Sequence, residues 1–284
     1  MNNLNNISHI YFIGIGGIGM SALARYFYAA GKQVSGYDKT ASTITEGLTD
    51  LGIDISFRDS IEDVPSTYKN KENTLVVYTP AVPKNHSAYQ YYLAEGFLVK
   101  KRAEVLGWLT QQKYCLAVAG THGKTTTSAM LGHLMASCDL PVTAFLGGIA
   151  ENYQSNLIQQ GEEIVVVEAD EFDRSFMQLF PNIAAITSMD ADHLDIYGDA
   201  EALQQSFRDF AAQVQEDGVL FVKNGLPLDG ITIGLEDDAV YAALTIKIEN
   251  GAYHFDLKHP DGLLKDLVLN LPGRHNLSNA ITAL

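Results

Sequence analysis

The stretch Leu116-Ala-Val-Ala-Gly-Thr-His-Gly-Lys-Thr-Thr-Thr127 constrains this chain more than any other. An apolar run, Leu116 to Ala119, stops at Gly120, and Gly123-Lys124-Thr125 then opens a helix-compatible segment, Ser128 to Met135. A buried strand, a glycine turn and a helix N-terminus in that order make an anion site, because backbone N–H groups and the helix dipole point at one place. Lys124 can neutralise the β/γ oxygens of a nucleoside triphosphate, and the Thr125 hydroxyl can hold Mg²⁺. The candidate nucleotide residues are therefore Gly120, Thr121, His122, Gly123, Lys124, Thr125 and Thr126. The usual G-x(4)-G-K-[ST] spacing would put its first glycine at Val118, so the turn departs from the common form.

A second glycine turn lies near the start. His9 to Ile13 reads as a buried strand, Gly14-Ile-Gly-Gly-Ile-Gly19 as the turn, Met20 to Ala30 as an apolar-faced helix, and Gln33 to Tyr37 as the next strand. Gly14, Gly16 and Gly19 fit G-x-G-x-x-G in its required setting, with Gly17 beside them, and a bound diphosphate is the expected ligand. Asp38, about 20 residues beyond the turn, is placed to meet a ribose or base. Thr74 to Tyr78 is a further strand, and Thr79, at its carboxyl end, belongs to the ligand crevice of a doubly wound sheet. Arg102 precedes a helix over 102–112 and is either an anion contact or a solvated surface charge.

Charge decides what kind of anion site this is. Acidic residues outnumber basic ones 34 to 19, for a net charge of −15. No basic field exists to displace the counterions of a nucleic acid, so an anionic ligand must be held by helix N-termini and single basic side chains. Cys115 and Cys138 have no metal or redox spacing. No apolar run reaches the length of a membrane span, and Met1 to Asn6 lacks the basic start and apolar middle of a signal peptide. The expected compartment is the cytoplasm.

Beyond the phosphate loop, Glu163 to Glu168 reads as a buried strand ending in Glu168-Ala-Asp-Glu-Phe-Asp173. Four carboxylates within six residues repel one another unless a cation is present, and Mg²⁺ suits one or two of them plus phosphate oxygens; a solvated acidic loop is the alternative. Ile183 to Thr187 is another buried strand, leading to His193 among Asp190, Asp192 and Asp195. His193 is either a metal or phosphate residue or a structural histidine. Ala200 to Val214 is an amphipathic helix whose Leu203, Phe207, Phe210 and Val214 form a core stripe. From Gly218 the chain switches to strands, with Asn250-Gly251 as a hairpin turn. Ser278 to Leu284 begins a helix that stops without a cap, as in a fragment of a longer chain.

Taken together and in this order, Gly14-Ile-Gly-Gly-Ile-Gly-Met-Ser21, Gly120-Thr-His-Gly-Lys-Thr-Thr126, Glu168-Ala-Asp-Glu171, Asp192-His193 and Gly273-Arg-His-Asn-x-x-Asn279 resemble the Mur ligase family. The resemblance runs over the whole chain. It implies an α/β protein with a Rossmann-like, doubly wound parallel sheet over residues 1–111 that binds a UDP-sugar. A P-loop ATPase-type α/β central domain follows over residues 112–284, with a small extra β region and a truncated C-terminal end. By the same resemblance the UDP-sugar lies at Gly14, Gly16, Gly17, Gly19, Asp38, Thr79 and Arg102. Lys124, Glu168 and His193 are implied as catalytic, Thr125 and Glu168 as ligands of one Mg²⁺ and His193 of a second, and His275 and Asn279 as neighbours of the adenine of ATP. The Met-Ser ending of the first motif points to the branch that joins L-alanine to the lactyl carboxylate of UDP-N-acetylmuramate through an acyl phosphate, in peptidoglycan precursor synthesis. Relatives that carbamoylate a lysine place it in the helix after the histidine motif; here that helix holds Arg208 and no lysine, which agrees with the alanine-adding branch.

Other readings remain open from sequence. The amine could be a ready-made peptide, as in a recycling ligase, because the amine-selecting domain is not in this stretch. The chain could bind UDP-sugar and ATP without forming an amide. A dehydrogenase reading of the first turn leaves the phosphate loop and the carboxylates unexplained.

Overall fold

The computed structural model describes residues 6–190, 197 and 199–284. The chain forms two compact units, Met1–Leu109 with Phe145–Leu157, and Thr110–Ala144 with Ile158–Leu284. The segment Phe145–Leu157 thus belongs to the first unit, although it falls inside the second of the two sequence-derived spans.

The first unit alternates β1 (His9–Ile13), α1 (Ile18–Ala29), β2 (Gln33–Tyr37), α2 (Thr43–Thr49), β3 (Asp54–Ser56), β4 (Thr74–Tyr78), α3 (Ser87–Ala94), β5 (Leu98–Lys101) and α4 (Arg102–Gln112), which continues past Leu109. Its five strands are all parallel, in the order β3-β2-β1-β4-β5. This is a doubly wound parallel sheet, the class expected from the sequence, and its direction reverses between β1 and β4, where such sheets bind ligands. A central parallel strand is covered on both faces, which is why Ile10, Tyr11, Phe12 and Ile13 are all buried. Tyr11, Ile13, Val76, Tyr68 and Tyr92 form one cluster of its core. The edge strand β5 escapes a sequence reading because Leu98-Val-Lys-Lys101 has neither an apolar run nor an alternation.

The second unit is built on β6 (Tyr114–Ala119), α5 (Lys124–Ser137), β7 (Val142–Ala150), β8 (Ser155–Gln159), β9 (Ile164–Ala169), β10 (Ile183–Ile186), α6 (Ala200–Ala211), β11 (Val219–Lys223), β12 (Ile231–Leu235), β13 (Tyr241–Glu249), β14 (Ala252–His259), β15 (Gly262–Leu269) and α7 (Arg274–Ala283), with part of β7 and β8 in the first unit. The sheet runs β15-β14-β13-β12-β11-β10-β6-β9-β7-β8. Strands β9, β6, β10, β11, β12 and β13 pair in parallel, and β13-β14-β15 extend them as an antiparallel meander, the expected extra β region.

Two packing features place the chemistry. Phe207 and Phe210 of α6 close on Phe176, Phe210 stacked at 5.0 Å between centroids, so with Leu203 they are core, while α6 ends at Ala211, short of the half-buried Val214. Leu277 and Ile281 of α7 are buried against Ile233, Ala243, Tyr253, Phe255 and Leu257, which fixes α7 on the meander. At the β13–β14 hairpin Asn250 and Gly251 both have positive φ, 51° and 83°, the requirement of a type I′ turn. Strand β15 is the sheet's edge: a register shift separates its pairings at Phe255 and Leu257, Asp266 is left-handed at φ 57°, and Leu263, Leu264 and Val268 are exposed. No helix among the described residues is long and apolar enough to cross a membrane.

Candidate functional sites

In the first unit the chain leaves β1 into the glycine turn, and Gly14 and Ile15 donate their N–H groups to Tyr37 O at 2.8 and 3.0 Å. Gly14 has φ +89°, which a side chain rarely tolerates. Gly17 caps α1 with no side-chain hydrogen bond, so the first-turn N–H groups of α1 are open to an anion. By contrast α2 is closed by a capping box between Ser42 and Thr45, and α6 by Asp199 accepting from Ala202 N.

The structure brings Asp38, Thr79 and Arg102 to this turn. Asp38 Oδ2 accepts the Gly16 N–H at 2.7 Å, and its Oδ1 accepts from Thr40 N at 3.1 Å. A Cβ on Gly14 would lie 2.9 Å from Thr79 Cγ2, and one on Gly19 2.6 Å from Arg102 Nη1. At Gly14 the positive φ and the close Thr79 side chain together call for glycine, while at Gly19 the neighbour is the movable end of Arg102. One residue that sequence reasoning passed over is Asn156, wholly buried, whose amide nitrogen donates to Ile18 O and, at 2.8 Å, to Ser21 Oγ. An isolated asparagine carries no pattern that would have singled it out.

In the second unit β6 ends at Ala119 and α5 starts at Lys124, capped by Gly123 at φ +87° with no side-chain hydrogen bond. Gly120 has φ +133° and sits against the Thr187 side chain, and Gly123 sits against the Asn279 amide, so neither has room for a Cβ. Thr187 Oγ1, with one hydrogen to give, is within reach of His122 O and, at 3.1 Å, of Ala119 O, which also accepts the Thr187 N–H at 3.0 Å. Ser188 Oγ bonds to Thr121 Oγ1 at 2.9 Å and accepts from His122 N at 2.8 Å, while Thr121 Oγ1 accepts from Asp190 N at 3.2 Å. The end of β10 therefore grips the phosphate loop from below. Neither Thr187 nor Ser188 was singled out, although the rule that picked Thr79 at the end of β4 applies to them equally.

Thr125 Oγ1 lies 3.0 Å from Glu168 Oε1, which joins the first turn of α5 to the end of β9. Both are hard oxygen donors, as Mg²⁺ requires, and a magnesium site uses only one or two carboxylates because phosphate and water supply the rest. Among the described residues no three His, Cys, Asp or Glu side chains converge on a common point. Lys124 Nζ meets Glu171 Oε1 at 3.0 Å, Oε2 at 2.8 Å and Gly120 O at 2.8 Å, and Glu171 is wholly buried. Burial pushes the Tyr197 hydroxyl up from its ordinary pKa, which keeps it a donor, and it bonds to Glu171 O.

His193 lies outside the described residues, as do Asp192 and Asp195. His275 lines a cavity of about 400 Å³ together with Lys223, Asn224, Asp237, Arg274 and Ser278, while Asn279 is turned against Gly123. Helix α7 begins at Arg274, earlier than the sequence suggests, which puts His275 in its first turn. Arg208 is bonded to Gln205 and Gln204 of its own helix, at 3.2 and 3.4 Å.

The model of the Mur ligase family, catalytic domain, matches residues 9–114, and that of the Mur ligase middle domain matches residues 118–284. UDP-N-acetylmuramate–L-alanine ligase of Christiangramia forsetii is 61% identical over 285 residues, covering 100% of this chain and 63% of that protein. The protein of the same name from Porphyromonas gingivalis strain W83 is 47% identical over 288 residues, again with 98% of this chain and 63% of the relative covered. The chain thus spans 63% of the length of the curated relatives it matches. Among solved structures, the UDP-N-acetylmuramate–alanine ligase of Thermotoga maritima superposes with a TM-score of 0.84 at 28% identity, over 97% of this chain and 63% of that one. A UDP-N-acetylmuramate:L-alanyl-gamma-D-glutamyl-meso-diaminopimelate ligase from Neisseria meningitides gives the same TM-score at 24% identity, over 98% of this chain and 92% of that one, and so shares the fold. A doubly wound sheet with a glycine turn, a phosphate loop backed by β10 and two matching family models in sequence lead to one conclusion: the chain belongs to the Mur ligase family.

Proposed function

We propose that this chain supplies the UDP-N-acetylmuramate- and ATP-binding parts of a UDP-N-acetylmuramate–L-alanine ligase. The observation that carries the reading is the Thr125–Glu168 contact beside Lys124, at the mouth of an α-helix whose first turn no side chain caps. The 61% identity to a relative of that name supports the choice of branch. A carboxylate is a poor acyl donor, so the lactyl carboxylate takes the γ-phosphoryl group of ATP to become an acyl phosphate; the L-alanine amine displaces phosphate to give the amide. Lys124 offsets charge on the transferred group, and the N–H groups of α5 hold the adjoining phosphates. Thr125 and Glu168 would hold a Mg²⁺, which would supply Lewis-acid neutralisation of the phosphate oxygens, and His193 would serve a second ion. Gly14, Gly16, Gly17 and Gly19 cradle the UDP pyrophosphate, Arg102 offers the counter-charge, and Asp38 and Thr79 border the crevice. His275 and Asn279 flank the adenine. The proposed setting is the cytoplasm, where ATP is at hand.

Calorimetric titration of the chain with UDP-N-acetylmuramate, NAD⁺ and NADP⁺, and separately with Mg²⁺ and a non-hydrolysable ATP analogue, tests this. Binding of the sugar nucleotide and the ATP analogue, with neither nicotinamide cofactor bound, is the expected result. Binding of NAD⁺ or NADP⁺ in place of the UDP-sugar would overturn the first site.

A further inference from the structure

Glu171 has no role in the reaction just described, yet it is the wholly buried partner of the phosphate-loop lysine. The segment that carries it is wound tightly on itself. Glu171 O accepts from Arg174 N at 2.9 Å and from the Tyr197 hydroxyl, while Asp170 O accepts from Phe176 N and Ser175 Oγ, both at 3.0 Å. Asp173 and Arg174 are both left-handed, at φ 53°, a pair of conformations that surrounding structure must impose. The carboxylate is thus delivered to one place and held there.

An ammonium has three hydrogens, and those of Lys124 face three oxygens: Gly120 O and both oxygens of Glu171. A phosphate oxygen that bonds to Lys124 must take a hydrogen that Glu171 now holds. A buried carboxylate that loses its cation is strongly disfavoured, so capture of Lys124 by phosphate and release by Glu171 are coupled. We propose that Glu171 competes with the triphosphate for Lys124, holding the ammonium at the phosphate loop until a phosphate oxygen takes it. The inference rests on the triphosphate reading of this loop.

The test is calorimetric titration of the 284-residue chain with Mg²⁺ and β,γ-imido-ATP, on wild type, Glu171→Gln, Glu171→Asp, Lys124→Ala and the double variant Lys124→Ala/Glu171→Gln. Glu171→Gln should bind about tenfold more tightly than wild type, a shift within reach of one lost competitor. Glu171→Asp, its carboxylate drawn back by one methylene, should fall between the two. In the Lys124→Ala background the Gln substitution should change nothing, because the effect passes through the ammonium; a general loss of negative charge would tighten binding there too. Unchanged or weaker binding by Glu171→Gln overturns the proposal, as does an equal gain, or restored binding, in the Lys124→Ala background. If Glu171→Gln does not fold, Glu171→Asp decides alone: tighter binding than wild type supports the proposal, and equal or weaker binding overturns it. Wild-type affinity in Lys124→Ala would instead bring down the triphosphate reading itself, and this inference with it.

Discussion

The Asp38 carboxylate accepts the Gly16 N–H at 2.7 Å, so the glycine turn of the first unit holds an anionic group of the protein's own at the point where a ligand phosphate is expected. Gly16 is bounded on that side with little slack, since a Cβ there would lie 2.9 Å from both Asp38 Oδ2 and Thr45 Cγ2. Gly16→Val should therefore lower affinity for UDP-N-acetylmuramate by more than about a hundredfold. Binding of the ATP analogue should be unchanged, because Lys124 and its loop belong to a different motif. Paired calorimetric titrations check both, and wild-type sugar-nucleotide affinity would remove the turn from the binding site.

Thr187 acts on the phosphate loop through its hydroxyl, whose one hydrogen is within reach of His122 O and, at 3.1 Å, of Ala119 O. Thr187→Val keeps the shape and removes the hydroxyl; Ala119 O retains the Thr187 N–H at 3.0 Å, while His122 O is left with the Ser188 Oγ contact at 3.3 Å. We expect a stability loss of about 1–3 kcal/mol by urea unfolding and an ATP-analogue affinity about tenfold weaker. Loss of stability with nucleotide affinity intact would show that the loop keeps its shape without the β10 grip.

Lys124→Ala takes the ammonium away from the wholly buried Glu171 carboxylate, and removing one member of a buried pair costs about 3–5 kcal/mol. Adding Glu171→Gln should return most of that loss, since a neutral amide is far less costly to bury than a charge that has lost its counter-ion. Denaturant unfolding of the two single variants and the double variant gives the coupling. Simple additivity would mean that the pair is solvated in solution.

His86 predicts a pH dependence. Burial lowers its pKa, only partly offset by Asp59, and its Nδ1 accepts the Tyr89 N–H at the start of α3. A histidine whose folded pKa is depressed leaves the unfolded chain binding the proton first. Its contribution is therefore complete above the unfolded value near 6.5 and is lost as pH falls below it. Wild type should lose more stability between pH 7.5 and pH 5.5 than His86→Asn, which can still cap α3. Equal losses would mean that His86 protonates freely in the folded state.

The strand–turn–helix segments were legible because glycine, an apolar strand and a helix start are local signals, each recorded in adjacent residues. The pairing of Thr125 with Glu168, 43 positions apart, was implied by the resemblance to the Mur ligases, since the residues alone left open which carboxylate of the acidic run would meet the loop. The Lys124–Glu171 pair was not. The acidic run from Glu168 to Asp173 shows four carboxylates, but which one turns inward depends on left-handed backbone at Asp173 and Arg174, and no residue there advertises it. Asn156 was hidden for a similar reason: its partners Ile18 O and Ser21 Oγ lie more than 130 residues earlier, and a single buried amide has no periodicity. Strands β5 and β8 were missed because a short strand beside polar or charged residues looks like loop.

The kinked outer strand β15 has a consequence for how the chain survives its own synthesis. Leu263, Leu264 and Val268 on an open edge are the ingredients of strand-by-strand accretion between molecules. The left-handed Asp266 interrupts the straight row of backbone groups that a second strand would need, and Lys265 beside it puts a charge in the path. Straightening that kink, for example with Asp266→Val, would leave the ligand sites untouched and convert a shielded border into a template for self-adhesion.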